Sequence, residues 1–112
     1  MCIRNSTKAT VVAERVQKAT TFWRRLKGLL GTSSLPARSG IIIKPCSSVH
    51  TFGMRYPIDV LFVDRNHYIV KIVENMLPGK ASMASGSHYV VELPVGTVEI
   101  TTCSVGDQLE WQ

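Results

Sequence analysis

Residues 57–64, PIDVLFVD, constrain the fold of this chain more than any other stretch. Pro57 has no N–H to give to a sheet ladder, so it belongs at the start of a strand. From there the side chains alternate, with Ile58, Val60 and Phe62 on one side and Asp59, Leu61 and Val63 on the other. Only Asp59 interrupts the apolar character. A strand that is apolar on both sides must be covered on both, in the middle of a barrel or under a helix. Asp64-Arg65-Asn66-His67 reads as a turn, with Asn66 able to take positive φ, and Tyr68 to Val73 returns as the second arm of a hairpin.

The flanking segments extend this pattern. Residues 9–16, ATVVAERV, are rich in β-branched types and predict a first strand. A short helix follows, capped by Thr20 or Thr21 and striped by Phe22, Leu26, Leu29 and Leu30, with Gly31 suited to its end. Ile41 to Lys44 reads as a brief buried strand. Residues 75–87, NMLPGKASMASGS, lack periodicity and read as a long loop. His88 to Leu93 and Gln108 to Trp111 read as further strands, while Thr97 to Thr102 suits either one helical turn or a loop. About six strands against one helix predict a mainly β (α+β) domain, a compact, curled or barrel-like, largely antiparallel sheet. At 112 residues, with 45% hydrophobic and 19% charged, the chain is one domain spanning 1–112 with one real core.

The net charge of +5 favours acidic partners, but the basic residues form no run. Their densest group, Arg24, Arg25 and Lys27 beside Trp23, reads as a solvated helix face rather than a nucleic-acid surface. Three cysteines, Cys2, Cys46 and Cys103, with no CxxC pair argue for reduced thiols and a cytoplasmic setting. The N-terminus lacks the apolar core of a signal peptide, and no apolar run is long enough for a membrane span.

Chemistry concentrates in the loop before the central strand, PCSSVHTFGMRY (45–56). Cys46 and His50 could pair as nucleophile and base, with Asp59 orienting the imidazole. The competing reading makes Cys46 a small buried hydrophobe, His50 a loop histidine bonded to backbone, and Asp59 a brace. Asp59, flanked by Ile58 and Val60, must meet Arg55, His50, a cluster of backbone N–H groups or a ligand. Glu92, in VVELP, is expected to face solvent; turned inward, it could form a carboxylate pair with Asp59. The Gly-containing segments match neither a phosphate loop nor a dinucleotide fingerprint, and no complete metal spacing is present, so no cofactor and no metal are expected.

In order, RLKGLLG (25–31), PCSSVHTFGMRYPIDVLFVD (45–64), VVELPVGT (90–97) and VGDQL (105–109) resemble the bacterial and archaeal family named domain of unknown function 192. The resemblance implies a small, mostly β fold with some helix, no established activity, and a shared cleft built by Arg25, His50, Met54, Arg55 and Asp59. In the family's other form an aromatic-Met-Lys-Asn-Thr segment replaces this block, so Met54, Arg55, Pro57 and Asp59 map onto both forms and His50 onto one. Three functions fit the residues. The first is a module binding a small molecule or peptide with an anionic group, clamped by Arg55 with Arg25 or Lys44, with apolar contact from Met54 and Phe52. The second is a hydrolase using Cys46, His50 and Asp59. The third is an accessory protein-interaction domain.

Overall fold

The computed structural model describes residues 1–19 and 34–112. The helix expected after Thr20 or Thr21, with Trp23, Arg24, Arg25 and Lys27, lies outside the described residues. Among the described residues the strands are β1 (Ile3–Asn5), β2 (Thr10–Ala13), β3 (Arg15–Ala19), β4 (Ser39–Ile43), β5 (Ser48–His50), β6 (Ile58–Val63), β7 (Ile69–Met76), β8 (Ala81–Met83), β9 (Tyr89–Pro94) and β10 (Leu109–Trp111), with one short helix, α1 (Thr97–Thr101).

The chain is mainly β, as expected, but divided more finely than six strands. The segment expected as one strand, 9–16, is cut at Glu14. There the chain leaves a small sheet for a larger one, and the N–H groups of Glu14 and Arg15 both donate to the carbonyl of Arg38. The stretch expected as a loop, 75–87, contains the end of β7 and all of β8. A three-residue strand shows no periodicity, and β8 exists because β5, far away in sequence, supplies its hydrogen bonds. Positive φ in the turn after β6 falls on His67 rather than Asn66, because the Asp64 carboxylate accepts the N–H groups of Asn66 and Tyr68 at 2.9 Å each.

Five strands form the main sheet in the order β3-β4-β9-β6-β7. β3 and β4 run parallel; the other neighbours are antiparallel. A three-stranded antiparallel sheet, β10-β1-β2, and the pair β5-β8 complete the fold, and among the described residues none of these closes into a barrel. β6 and β9 lie at the centre of the main sheet, which is why Ile58–Val63 are buried on both sides.

Two cores result, one on each face, as the alternation of the central strand requires. Leu61, Val63, Ile42, Val91 and Leu93 face the first core, against Ile3, Val12 and Leu109 of the small sheet and Val98 of α1. Ile58, Val60, Phe62, Ile41, Ile43 and Val90 face the second, against Val49, Met54 and Met76.

Asp107 pins the small sheet to the turn before β10. Its carboxylate accepts hydrogen bonds from Asn5 Nδ2 (2.8 Å), Lys8 Nζ (2.9 Å) and the Ser104 N–H (2.9 Å). Burial opposes ionisation, but these donors and the Lys8 charge outweigh it and hold the carboxyl below its ordinary value. A carboxyl depressed in the folded state stabilises above its unfolded pKa of about 3.9 and loses that contribution as pH falls through the folded value. Urea denaturation should therefore show wild type more stable than Asp107→Asn at pH 7, with the gap shrinking as pH drops below about 4. A gap that is constant with pH would exclude this role.

Candidate functional site

The elements around residues 45–59 deliver the predicted site residues to two different faces of the main sheet. In-register neighbours project to the same side of a sheet. Asp59 is paired with Leu93, which faces the first core. Glu92 is paired with Val60 and Ile41, which face the second. Asp59 and Glu92 thus lie on opposite faces and cannot form a carboxylate pair. The expectation that Glu92 faces solvent is also corrected, because it is fully buried. Both faces of β9 are covered, so its single charged residue had no solvent side to take.

Asp59 is 1% exposed and its carboxylate is hydrogen-bonded to backbone. Oδ1 accepts the Asn75 N–H at 2.9 Å, and Oδ2 accepts those of Gly96 (3.1 Å) and Val98 (3.0 Å). The first contact holds a bulge: Ile58 pairs with Met76 but Val60 pairs with Val73, so β7 carries one extra residue, and Asn75 there has φ +51°. The other two satisfy free N–H groups at the start of α1, whose own N-cap, Gly96, has no side chain to do so. Of the partners open to it in the sequence, Asp59 has taken the backbone cluster. The Cys46–His50–Asp59 triad is not assembled, since the Asp59 carboxylate is engaged on the far side of the sheet.

Cys46, His50, Met54 and Tyr56 remain on the near side. Met54 is buried in the second core, with Cys46 and Tyr56 packed against it. The Cys46 thiol donates to the Ser48 carbonyl at 3.0 Å. In the β5-β8 ribbon Val49 faces the core, so Ser48, His50, Ala81 and Met83 share the opposite side. The His50 ring stacks on Phe52, centroids 5.4 Å apart and planes 21° apart. His50 Nδ1 and both Glu92 carboxylate oxygens are shielded from solvent, and both residues are partnered, as are Cys46 and Tyr56. Arg55 is exposed, and Arg25 lies outside the described residues.

Sequence reasoning missed Thr51, the residue that joins the two loops of this face. Thr51 is fully buried. Its N–H donates to the Lys80 carbonyl (2.8 Å), its carbonyl accepts the Gly79 N–H (3.0 Å), and its hydroxyl both donates to the Leu77 carbonyl (2.6 Å) and accepts the Lys80 N–H (2.9 Å). Nothing in the local sequence announces this, because the partners lie more than 25 residues away. The result is a rigid edge on which Phe52, Leu77 and Met83 stay 56%, 50% and 69% exposed. Among the described residues, no group of three or more His, Cys, Asp or Glu side chains is arranged to hold a metal ion. No helix among them is long and apolar enough to cross a membrane.

A small domain with a five-stranded mixed sheet covered on one face by a three-stranded sheet and bearing a stitched loop ribbon on the other is a recognisable type. The profile of domain of unknown function 192 (DUF192), described as "Uncharacterized ACR", matches residues 3–111, and the chain belongs to this family. It is 32% identical to a UPF0127 protein of Pyrococcus furiosus, over 96% of this chain and 95% of the relative. It is 30% identical to a UPF0127 protein of Thermococcus sibiricus, over 96% of this chain and 73% of the relative. The crystal structure of a protein of unknown function from Novosphingobium aromaticivorans superimposes with a TM-score of 0.84 at 22% identity, covering 99% of this chain and 84% of that one. A Sinorhizobium meliloti structure gives 0.81 at 23% identity, covering 97% and 89%. At such identities the likeness is one of fold.

Proposed function

We propose that this chain is a binding module for a small ligand or short peptide with an anionic group, held on the edge formed by the 50–56 loop and the 77–83 segment. The observation that carries this reading is the Thr51 joint. Four backbone and hydroxyl hydrogen bonds fix two loops in place, yet the apolar side chains beside them, Phe52 and Leu77, are left half exposed. Loops usually expose such groups without immobilising them; a preorganised apolar surface lowers the entropic cost of holding a ligand. Arg55 and Lys80, both exposed, supply the cationic side of the same edge. The hydrolase reading has less support, because Asp59 is committed to backbone on the other face.

The test is thermal denaturation against a panel of carboxylates, sugar phosphates, nucleotides and short acidic peptides. A ligand at about 100 times its Kd should stabilise the wild type by roughly 2.7 kcal/mol. The same compound should give less than a third of that shift with a folded Phe52→Ser/Arg55→Ala double variant. A compound that stabilises both proteins equally binds elsewhere and would remove this edge from consideration.

A further inference from the structure

The opposite face of the main sheet ends in a cluster that the binding edge does not use. Val16 on β3 and Ile42 on β4 pack against the first core, and two residues further along each row stand Lys18 and Lys44. Both ammonium groups approach the ring of Trp111, at 5.4 and 5.7 Å from its centroid. Trp111 in turn packs edge-on against Tyr89 (5.4 Å) and His67 (5.9 Å).

A chain of hydrogen bonds orients this cluster. Trp111 Nε1 donates to Tyr89 Oη at 3.0 Å, and Tyr89 Oη lies 2.9 Å from His67 Nδ1. An indole can only donate, so Oη accepts there. Burial, with a smaller push from Asp64, raises the Tyr89 hydroxyl to about 12, so the phenol stays protonated at neutral pH. Nearby, partial burial and then the charges of Arg65, Lys44 and His67 hold His88 below its ordinary value. On the acidic side stand Asp64, whose Oδ1 already accepts two backbone N–H groups, and Glu110. Glu110 lines an adjoining hollow of about 660 Å³ with Arg4, His67 and Trp111.

Two lysines from separate strands of the sheet therefore converge on one ring, and the neighbouring His88, near Arg65 and Lys44, is disfavoured from adding another charge. One carboxylate would offset a single lysine, whereas a doubly charged phosphate matches the pair over Trp111. We propose that this corner binds a small phosphate-bearing anion, with Lys18, Lys44 and Arg65 balancing its charge, and the adjoining hollow beside His67 taking whatever the phosphate carries.

The test is an NMR titration of the histidine ring and Trp111 indole signals in low salt. Inorganic pyrophosphate is one arm and glycerol phosphate the other, with sodium chloride at matched ionic strength as control. The expected result is saturable shifts at His67, His88 and Trp111 with a Kd of about 1 mM or tighter. Binding should also move the His88 titration upward, since an anion relieves the cationic field. Tighter binding of the ester assigns the hollow to an organic phosphate, and tighter pyrophosphate assigns the site to the inorganic ion. A Lys18→Gln/Lys44→Gln variant should bind about tenfold more weakly or worse. Should that variant fail to fold, Arg65→Gln, at an exposed position, should show the weakening alone. Shifts that sodium chloride reproduces, or folded variants with unchanged affinity, overturn the proposal.

Discussion

Replacing Asp59 with alanine should lower stability by about 3–5 kcal/mol, which for a domain of this size moves Tm down by roughly 10–20 °C. The size follows from what the carboxylate holds. It is 1% exposed and accepts three backbone N–H groups from two separate segments, the β7 bulge at Asn75 and the start of α1. Alanine leaves all three donors in a space without water, so the cost is their desolvation as well as the lost bonds. Asp59→Asn should cost less, about half as much, because the amide keeps one acceptor oxygen while its NH2 confronts a donor. Thermal and urea denaturation of the three proteins, followed by circular dichroism, measures both effects. A folded Asp59→Ala protein within 1 kcal/mol of wild type would show that the bulge and α1 do not depend on this side chain.

Phe62→Ala should be nearly as damaging, at about 3–5 kcal/mol, for an unrelated reason. Phe62 is fully buried in the second core, which it shares with Val90 of the adjacent β9, Ile41 and Ile43 of β4 beyond it, and Val49 of the ribbon. It sits on the central strand pair, where the sheet cannot close inward over a void, so most of the cavity should persist. Phe62→Leu leaves a smaller void and should cost about 1–2 kcal/mol. Equal losses for the two variants in urea titrations would mean the second core is loosely packed. Because the second core underlies the β5-β8 ribbon, Phe62→Ala should also weaken any ligand effect at Phe52, whereas a moderate destabilisation in the first core should not.

The central strand was legible because its pattern is local and extreme. Six residues, five of them apolar and spread over both sides, behind a proline, permit little except an inner strand, and the two-faced alternation of Ile58–Val63 is what the two cores show. The short strands were not legible. β5 and β8 are three residues each, and only their mutual pairing gives them strand geometry. The residue content of the site loop was likewise readable, but its layout was not. Cys46, His50 and Met54 stand near one another in sequence and on one side of the sheet. Asp59, five residues past Met54, stands on the other, because strand parity decides the side and a loop of irregular backbone hides the parity.

The amino-acid sequence by itself determined the class of the fold, the identity of one of its inner strands and the family to which the chain belongs. Each depends on residue types at short spacing, where side-chain periodicity and turn chemistry act directly. The tertiary structure alone decided which polar groups serve the scaffold and which are offered outward. Asp59 became a brace because bulge and helix N–H groups from residues 75, 96 and 98 converge on it. Glu92 became buried because β9 is central. Thr51 became a joint because Leu77, Gly79 and Lys80 return to it. Lys18, Lys44 and Trp111 became neighbours because the end of the chain pairs with its beginning. Such contacts join residues tens of positions apart, and no local preference of any one of them encodes the partner it will meet.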